Sequence, residues 1–229
     1  MALRSTPTCR RGLALSWLGI SALMLAHTAA GVRPSPSEAF TIDESSVRFG
    51  GNGCSARNAQ AIVSPDGRSL SVLFDDLRVD TEGNSRRGQA TCNMHIPIRV
   101  PAGQSIGLYE VDYRGFAYVP EEMDGASASF SADYDWSGRK GPTRETSFGP
   151  GFDDDFTISD SVQRESIVWS PCGRPTLFKV QSRIDASEAA RGSARYDDFI
   201  EVALDTADFR GRQLEGNALV SAKFQVRQC

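Results

Sequence analysis

Histidine is scarce in this chain, and so are the residue patterns that many enzymes and metal sites require. Only two histidines occur among 229 residues, His27 and His95. No two cysteines have the C-x-x-C spacing that is typical of structural zinc sites. No phosphate-binding glycine loop and no stripe of basic and aromatic residues is present. These absences argue against zinc proteins, nucleotide-binding enzymes and nucleic-acid-binding domains.

Long hydrophobic runs are also lacking, apart from one near the start. The stretch Leu13–Ala26 is apolar, follows Arg4, Arg10 and Arg11, and precedes the small residues Thr28-Ala29-Ala30. It is shorter than the roughly 20 residues that a membrane-spanning helix needs. This three-part pattern predicts a signal peptide over residues 1–30. We therefore expect a secreted, extracellular protein, or a periplasmic one if the host has an outer membrane.

Cleavage after Ala30 would change the composition of the mature chain. It removes three of the 25 basic residues and none of the 29 acidic ones, which leaves a net charge of −7. An acidic chain without basic clusters predicts no nucleic-acid partner. No later segment is apolar enough to predict a transmembrane span. Residues 31–42 contain Pro34 and Pro36 and predict a flexible leader, and residues 43–229 predict one domain.

Four cysteines remain after cleavage, and they predict disulfides. They are Cys54, Cys92, Cys172 and Cys229, an even number in an oxidising compartment. Three pairings are possible. We predict pairing between neighbours, Cys54 with Cys92 and Cys172 with Cys229, where each bridge would contribute at most about 4 kcal/mol in the chain-entropy model.

Apolar and polar residues alternate with a period of two along most of the mature chain. The clearest examples are Ala126–Trp136, Met94–Val100 and Leu70–Phe74. Ser64–Gly67 predicts a turn that joins two strands into a hairpin. Regular helical periodicity is missing. The pattern predicts an all-β fold, a single antiparallel β-sandwich of jelly-roll-like or Greek-key type, stapled by disulfides.

Three further features carry expectations about local structure. Pro97 predicts a sheet edge or a bulge, because proline cannot donate a ladder hydrogen bond. Gly115 predicts a bulge within its strand. The Gly-, Pro- and Asp-rich stretch Arg139–Asp155 predicts the longest exposed loop of the domain.

Two short motifs resemble catalytic sites, and both fit poorly. Gly103–Gly107 matches the G-x-S-x-G nucleophile elbow around Ser105, but a strand-like segment follows where the elbow needs a helix. Ser137–Lys140 matches S-x-x-K without a helix to hold it. His95, the single histidine of the mature chain, is expected to point outward from a strand. We therefore predict no catalytic residues.

The sequence offers candidate residues for a metal site and for a sugar-binding site, each with a simpler alternative. Asp133 and Asp135 resemble the opening of a calcium loop, but the closing position holds Arg144 instead of an acid. They are candidate calcium ligands, with two outward carboxylates on a strand as the alternative. A set of aromatic residues is a candidate sugar-stacking surface, with core packing as the alternative. The set comprises Tyr109, Tyr113, Phe116, Tyr118, Trp136 and Trp169.

Several ordered motifs together resemble one known family. They are Gly51-Asn52-Gly53-Cys54, Leu70–Asp76, Cys92–Gly103, Asp112–Phe116, Trp169–Gly173 and the terminal Cys229. In this order they are similar to a secreted domain-of-unknown-function family, numbered 4360, of fungi and bacteria. The resemblance covers residues 49–229, and Ser55 departs from it where proline is common. It implies a small exported β-rich protein with bridged cysteines at these positions and implies no catalytic residues.

The sequence therefore leaves the function open among three classes. We favour a non-enzymatic secreted or cell-surface domain that binds an extracellular glycan or protein. A hydrolase that acts through carboxylates is the second hypothesis, and a structural envelope component, held by calcium or by assembly, is the third.

Overall fold

The described part of the chain contains 13 β-strands and one short 3-10 turn, with no α-helix. The computed structural model describes residues 40–65, 67, 69–82, 86–161, 166–188, 199–209 and 224–229. The predicted signal peptide and most of the predicted leader lie outside these residues. The strands are β1 (Thr41–Ile42), β2 (Arg48–Gly50), β3 (Ala59–Val63), β4 (Leu70–Asp80), β5 (Arg87–Arg99), β6 (Gln104–Leu108), β7 (Glu110–Val119), β8 (Ser127–Trp136), β9 (Arg139–Phe148), β10 (Phe152–Ser161), β11 (Thr176–Ser187), β12 (Glu201–Phe209) and β13 (Phe224–Gln228), with the 3-10 turn at Glu44–Ser46.

Two large antiparallel sheets contain most of the strands. The first sheet has the order β1-β5-β11-β8-β9, and β2 also pairs with β5. The second sheet has the order β10-β7-β12-β4-β3. Strands β13 and β6 form a small third sheet.

The pairing follows the pattern of one long hairpin rolled into two sheets. Strand β4 pairs with β12, β5 with β11, β7 with β10, and β8 with β9. Successive pairs alternate between the second and the first sheet. This is the strand order of a jelly roll, a sandwich built from Greek keys. The predicted all-β sandwich is confirmed, and of the two expected types it is the jelly roll.

The core lies between the two large sheets. Along β8, Ala128, Phe130, Ala132, Tyr134 and Trp136 are buried, and the intervening residues face outward. Large aromatic side chains join the two layers, because rings on one sheet pack on rings of the other. The ring of Tyr113 on β7 lies 4.5 Å from that of Phe130 on β8, and its hydroxyl lies 2.9 Å from that of Tyr134.

The expectation of a long exposed loop at Arg139–Asp155 is wrong. This stretch forms all of β9 and the start of β10, joined by a short turn. Strand β9 is the edge strand of the first sheet and most of its residues are exposed or half-buried. Its backbone is paired with β8, but its side chains do not alternate between apolar and polar. The sequence pattern that predicted the other strands was therefore missing here. Phe148 anchors its end by stacking on Phe156 of β10, with ring centroids 4.8 Å apart.

The expectations for Pro97 and Gly115 concern the sheet edge and a bulge. Strand β1 pairs with β5 at Ile98 and Arg99, and β2 pairs with β5 from Asn93 to His95. Pro97 thus lies between these two short partners, at a gap in the edge. Opposite Gly115, the bulge falls in the neighbouring strand β12, between Leu204 and Thr206. A Cβ on Gly115 would lie 2.1 Å from the carbonyl oxygen of Ala203, so the close approach of β12 excludes any larger residue.

The β-sandwich includes residues that precede residue 43. Phe40 is buried against Phe224, with ring centroids 5.6 Å apart, and Thr41–Ile42 form β1. The end of the predicted leader is therefore part of the sandwich. The hairpin expected around Ser64–Gly67 is present, since β3 and β4 pair antiparallel with Val63 opposite Leu70 next to the turn.

Candidate functional site

The outer face of the first sheet carries a groove that is lined mainly by polar side chains. Its volume is about 380 Å³. Neighbouring strands β5, β11, β8 and β9 each contribute two side chains, and those on β5, β11 and β8 alternate with buried residues of the core. These polar residues are Asn93, His95, Lys179, Gln181, Asp133, Asp135, Lys140 and Thr143. We call this surface the first-sheet groove.

A tight turn and a bulge shape one side of the groove. Ser137 and Gly138 join β8 to β9 with φ angles of 49° and 95°, the positive values of a type I′ hairpin turn. Beyond the turn, the pairing shifts between Asp133 and Asp135, where Gly141 and Pro142 form a bulge in β9. Gly141 lines the groove without a side chain, and a Cβ there would lie 3.2 Å from Cβ of Tyr134. The bulge therefore brings the Gly141 backbone close to Tyr134, where a larger residue would crowd it.

Hydrogen bonds hold several groove side chains in place. The Thr143 hydroxyl donates to Oδ1 of Asp133. The backbone N–H of Gly138 donates to Oδ1 of Asp135 over 2.8 Å, which fixes this carboxylate beside the turn. Gln181 Nε2 donates to Asn93 Oδ1 over 2.8 Å. The carboxylates and amides are thus oriented before any ligand arrives, which lowers the entropy cost of binding.

Further along the same face, Asp185 on β11 is held by two neighbours. Arg183 donates to both carboxylate oxygens over 2.6 and 2.8 Å, and Gln89 Nε2 donates to Oδ1 over 2.8 Å. Burial raises the pKa of Asp185, but the hydrogen bonds from Arg183 and Gln89 outweigh burial and lower it overall. Asp185 is therefore an ionised structural group on the same strand as Lys179 and Gln181 but outside the groove lining.

The structure separates the residues of the two catalytic-looking motifs. Ser105 lies on β6 and is 2% exposed, with its hydroxyl 3.3 Å from the sulfur of Cys229. No helix follows it, so the elbow is absent. Ser137 lies in the hairpin turn and its hydroxyl is 2.9 Å from that of Thr176. His95 points outward from β5, as expected, and lines the first-sheet groove, to which Ser105 does not contribute.

The two calcium candidates, Asp133 and Asp135, both face the first-sheet groove. Within the described ranges, no group of three or more His, Cys, Asp or Glu side chains is arranged to hold a metal ion. Both carboxylates already accept a hydrogen bond from the protein. Calcium binding at this pair stays a prediction.

The candidate aromatic residues do not form one flat row. Tyr113 and Trp136 are buried in the core. Phe116 and Tyr118 are half-buried on the outer face of the second sheet. Trp169 is half-buried beneath Arg227, whose guanidinium carbon lies 4.3 Å from the ring centroid. The core alternative therefore holds for Tyr113 and Trp136, and none of the six lines the groove.

The four cysteines form two bridges in the structure. Cys54 is bonded to Cys92 and Cys172 to Cys229, the neighbour pairing expected from the sequence. The first bridge ties the segment after β2 to β5, which supplies two groove residues. The second ties the last residue of the chain, next to β13, to the loop before β11.

The outer face of the second sheet has a different character. Arg78 pairs there with Asp80 and Glu201, at 3.6 and 3.3 Å. Asp205, the extra residue at the β12 bulge, has a pKa raised by burial and by the nearby charge of Asp155. Ile62 and Leu73 are exposed on β3 and β4, by 42% and 38%. This face carries several acidic residues, and its Arg78 is neutralised by two of them.

Sequence reasoning did not identify five of the groove residues, Asn93, Lys140, Thr143, Lys179 and Gln181. Strand periodicity could show that most of them point outward. Their convergence depends on cross-strand register, which the sequence does not contain. One signal was visible all the same, since Lys140 and Lys179 are two of only three lysines in a chain with 22 arginines.

The chain is similar to a curated protein and to a solved structure. A protein from Arthroderma benhamiae, named "Uncharacterized secreted protein", is 25% identical over 166 residues, which cover 71% of this chain and 65% of the relative. The chain thus matches less than two thirds of that relative's length. A solved structure of TmCBM61 in complex with β-1,4-galactotriose covers 81% of this chain and 90% of its own, at 9% identity and a TM-score of 0.26. A likeness this low supports no argument about function.

Localisation and family rest on firmer matches. The predicted secretion is confirmed by the secreted relative and fits the two disulfides. Among the described residues, no helix has the length and apolar character of a membrane span. A family model described as "Domain of unknown function (DUF4360)" matches residues 39–218, and the chain therefore belongs to this family.

Proposed function

We propose that this protein is a secreted, non-enzymatic binding domain whose first-sheet groove holds a stretch of carbohydrate. One observation carries the proposal: side chains from four neighbouring strands converge in a single polar groove on the surface of the sandwich. Sugars present many hydroxyl groups that both donate and accept hydrogen bonds. Carboxylates, amides and ammonium groups in one groove match that chemistry.

The rigidity of the scaffold supports the same proposal. On β5, β8 and β11 the groove residues alternate with the buried Met94, Tyr134 and Val180, so the backbone of these strands is anchored in the core. A site on paired strands is held more precisely than one on mobile loops. Because no aromatic ring of the candidate set lines the groove, hydrogen bonds rather than ring stacking would provide most of the affinity.

Glycan binding by the secreted protein tests the proposal. We expect binding to at least one extracellular polysaccharide in a panel of neutral and acidic polymers, measured by affinity electrophoresis and calorimetry. The double substitution Asn93→Ala/Gln181→Ala removes the amide pair and should weaken that binding about tenfold. Gln60→Ala, an exposed amide on β3 of the second sheet, is the matched control. A blank across the panel, or equal loss with Gln60→Ala, would contradict the proposal.

A second candidate function is hydrolysis, which one specific observation favours. Asp133 and Asp135 face the same groove from alternate positions of β8, with Cα atoms about 7 Å apart by strand geometry. Carboxylate-dependent glycosidases likewise act through two carboxyl groups that face one cleft. The binding proposal expects no release of reducing ends from any polymer that binds. Release by the wild type that Asp133→Asn or Asp135→Asn abolishes would establish the hydrolase instead.

The structural envelope role and its calcium component are tested by stability. If Asp133 and Asp135 hold calcium, millimolar calcium should raise the melting temperature and a chelator should lower it. Asp133→Asn/Asp135→Asn should remove that response. Identical melting curves with calcium and with chelator would eliminate the calcium component.

A further inference from the structure

Lysine has an unusual distribution in this chain. The sequence contains 22 arginines and only three lysines, Lys140, Lys179 and Lys223. Two of the three lie in the first-sheet groove, and Lys223 lies outside the described residues. Lysine carries a compact, strongly hydrated charge on a flexible stem, and arginine presents a planar fork. The groove is thus the place in the described fold where mobile ammonium groups are concentrated.

The two lysines lie on one line across the sheet. Lys179 on β11 is directly opposite Asp135 on β8, and Asp135 is directly opposite Lys140 on β9. Neighbouring strands are about 4.8 Å apart, so the two lysine Cα atoms are separated by about 10 Å. We call these three residues the lysine row. Its length is comparable to that of a disaccharide unit.

The ammonium groups of the lysine row are without protein partners in the described part of the chain. No hydrogen bond or ion pair there involves the side chain of Lys140 or Lys179. The carboxylate between them is oriented by the Gly138 N–H. Both lysine side chains are exposed. The two ammonium groups of the row are therefore available to attract a negative charge and to donate hydrogen bonds to a ligand.

Some other basic residues of the described surface have ion-pair partners within the protein. Arg78 pairs with Asp80 and Glu201, Arg86 with Glu188, and Arg183 with Asp185. The mature chain carries a net charge of −7. In such an acidic protein, two unpaired cations in one groove indicate an anionic ligand.

Resting on the proposed function, we infer that the groove binds an acidic polysaccharide whose sugar rings carry carboxylates. The ligand carboxylates contact the ammonium groups of Lys140 and Lys179. Sugar hydroxyls contact the next row of the groove, where Asn93, Gln181 and Asp133 lie side by side in cross-strand register. The lysine row thus selects the charge of the ligand, and the amide row recognises its hydroxyl groups.

Two ligands that share the same sugar backbone but differ in charge test this inference. Polygalacturonate and its fully methyl-esterified form differ in the charge of the carboxyl group, and alginate serves as a second acidic polymer. We expect the secreted protein to bind an acidic polymer at least about tenfold more tightly than the ester at low salt. Added sodium chloride should weaken that binding, because exposed charges are screened.

The decisive variant is Lys140→Gln/Lys179→Gln. It should weaken binding of the acidic polymer about tenfold or more and leave binding of the ester unchanged. Lys140→Arg/Lys179→Arg should keep most of the affinity. Arg78→Gln/Arg114→Gln on the second sheet makes the same change in net charge and should leave affinity at the wild-type value. Melting temperatures within about 2 °C of wild type verify folding, since all four side chains are exposed or partly exposed.

The outcomes separate this inference from the proposed function. Neutral polymers that bind as tightly as acidic ones, in a manner that depends on Asn93 and Gln181 but not on the lysines, would overturn the inference and leave the proposed function intact. Equal losses from the lysine and the Arg78/Arg114 variants would also overturn it, because they would indicate a general charge effect. A blank for every polymer, acidic and neutral, would overturn both.

Discussion

The two outer faces of this sandwich differ although their inner faces are alike. Each large sheet turns alternate apolar residues toward a shared core. On the outside, the first sheet presents a groove with unpaired lysines, whereas the second sheet presents acids, a neutralised Arg78 and the exposed Ile62 and Leu73. Outward positions are free to vary because the core does not restrict them. The proposed binding site therefore lies on the first sheet.

Removing the support beneath the groove should have the largest effect on stability. Trp136 is 1% exposed and stacks on Phe178, with ring centroids 4.3 Å apart. Trp136→Ala should cost about 3–5 kcal/mol in the free energy of unfolding, because it leaves a cavity between the sheets. Trp169→Ala, at a half-buried ring, should cost about 1 kcal/mol. Urea unfolding measures both, and equal losses would contradict the assignment of Trp136 to the shared core.

The two disulfides provide the next test, because only one of them ties a groove strand. Removing either bridge by paired Cys→Ser substitutions should cost about 2–4 kcal/mol. Loss of Cys54–Cys92 should also weaken groove binding, since β5 carries Asn93 and His95. Loss of Cys172–Cys229 should leave affinity unchanged in the folded fraction. Calorimetry of each variant below its melting temperature measures this difference.

The connectivity itself is checked by non-reducing peptide mapping. We expect one peptide pair that joins Cys54 to Cys92 and another that joins Cys172 to Cys229. A peptide that links Cys54 to Cys172 or to Cys229 would contradict the pairing and the comparison of the two bridges built on it.

The acidic face of the second sheet should be slightly destabilising at neutral pH. The folded-state pKa of Asp205 is raised by burial and by Asp155, so ionisation of this carboxyl opposes folding. Asp205→Asn should therefore raise the melting temperature, by no more than about 3 °C since the group is largely exposed. The gain should be present at pH values above the folded-state pKa and should vanish below the unfolded value of about 3.9. Asp133→Asn in the groove is the control and should give no gain.

Asp185 should show the opposite pH dependence with the smallest effect. Its folded-state pKa is lowered overall, so its ionised form stabilises the fold. The contribution is present above the unfolded value of about 3.9 and is lost as the pH falls through the lower folded-state pKa. Asp185→Asn should cost less than about 1 kcal/mol at pH 7, because Arg183 is half-exposed. Melting curves from pH 7 to pH 2 measure this effect, and a loss that grows toward low pH would contradict it.

Much of the fold could be predicted from local patterns. Alternation along Ala126–Trp136 and Met94–Val100 identified β8 and part of β5, and Ser64–Gly67 identified the β3–β4 turn. Strand β9 was not predicted, because an edge strand can expose most of its side chains and then needs no alternation of apolar and polar residues. The bulge near Gly115 was placed on the wrong strand, since a glycine marks close approach without showing which partner bends.

The groove was less accessible to prediction than the fold. His95 was correctly expected to point outward, and Asp133 and Asp135 were correctly placed on one face of a strand. Their meeting with Lys179 and Gln181 joins residues that are more than forty positions apart in the chain. Such contacts depend on which strands pair and in what register, and many pairings are compatible with the same alternation.

By itself, the sequence predicted an export signal and determined the even set of four cysteines beyond it, the all-β class and the inward or outward direction of most strand residues. These properties depend on composition and on short-range periodicity, which are local. The tertiary structure alone decided the jelly-roll order and the alignment of Lys179, Asp135 and Lys140 across three strands. The physical reason is that the pairing of distant strands is selected by the packing of the whole core, and the groove on its surface is a consequence of that selection.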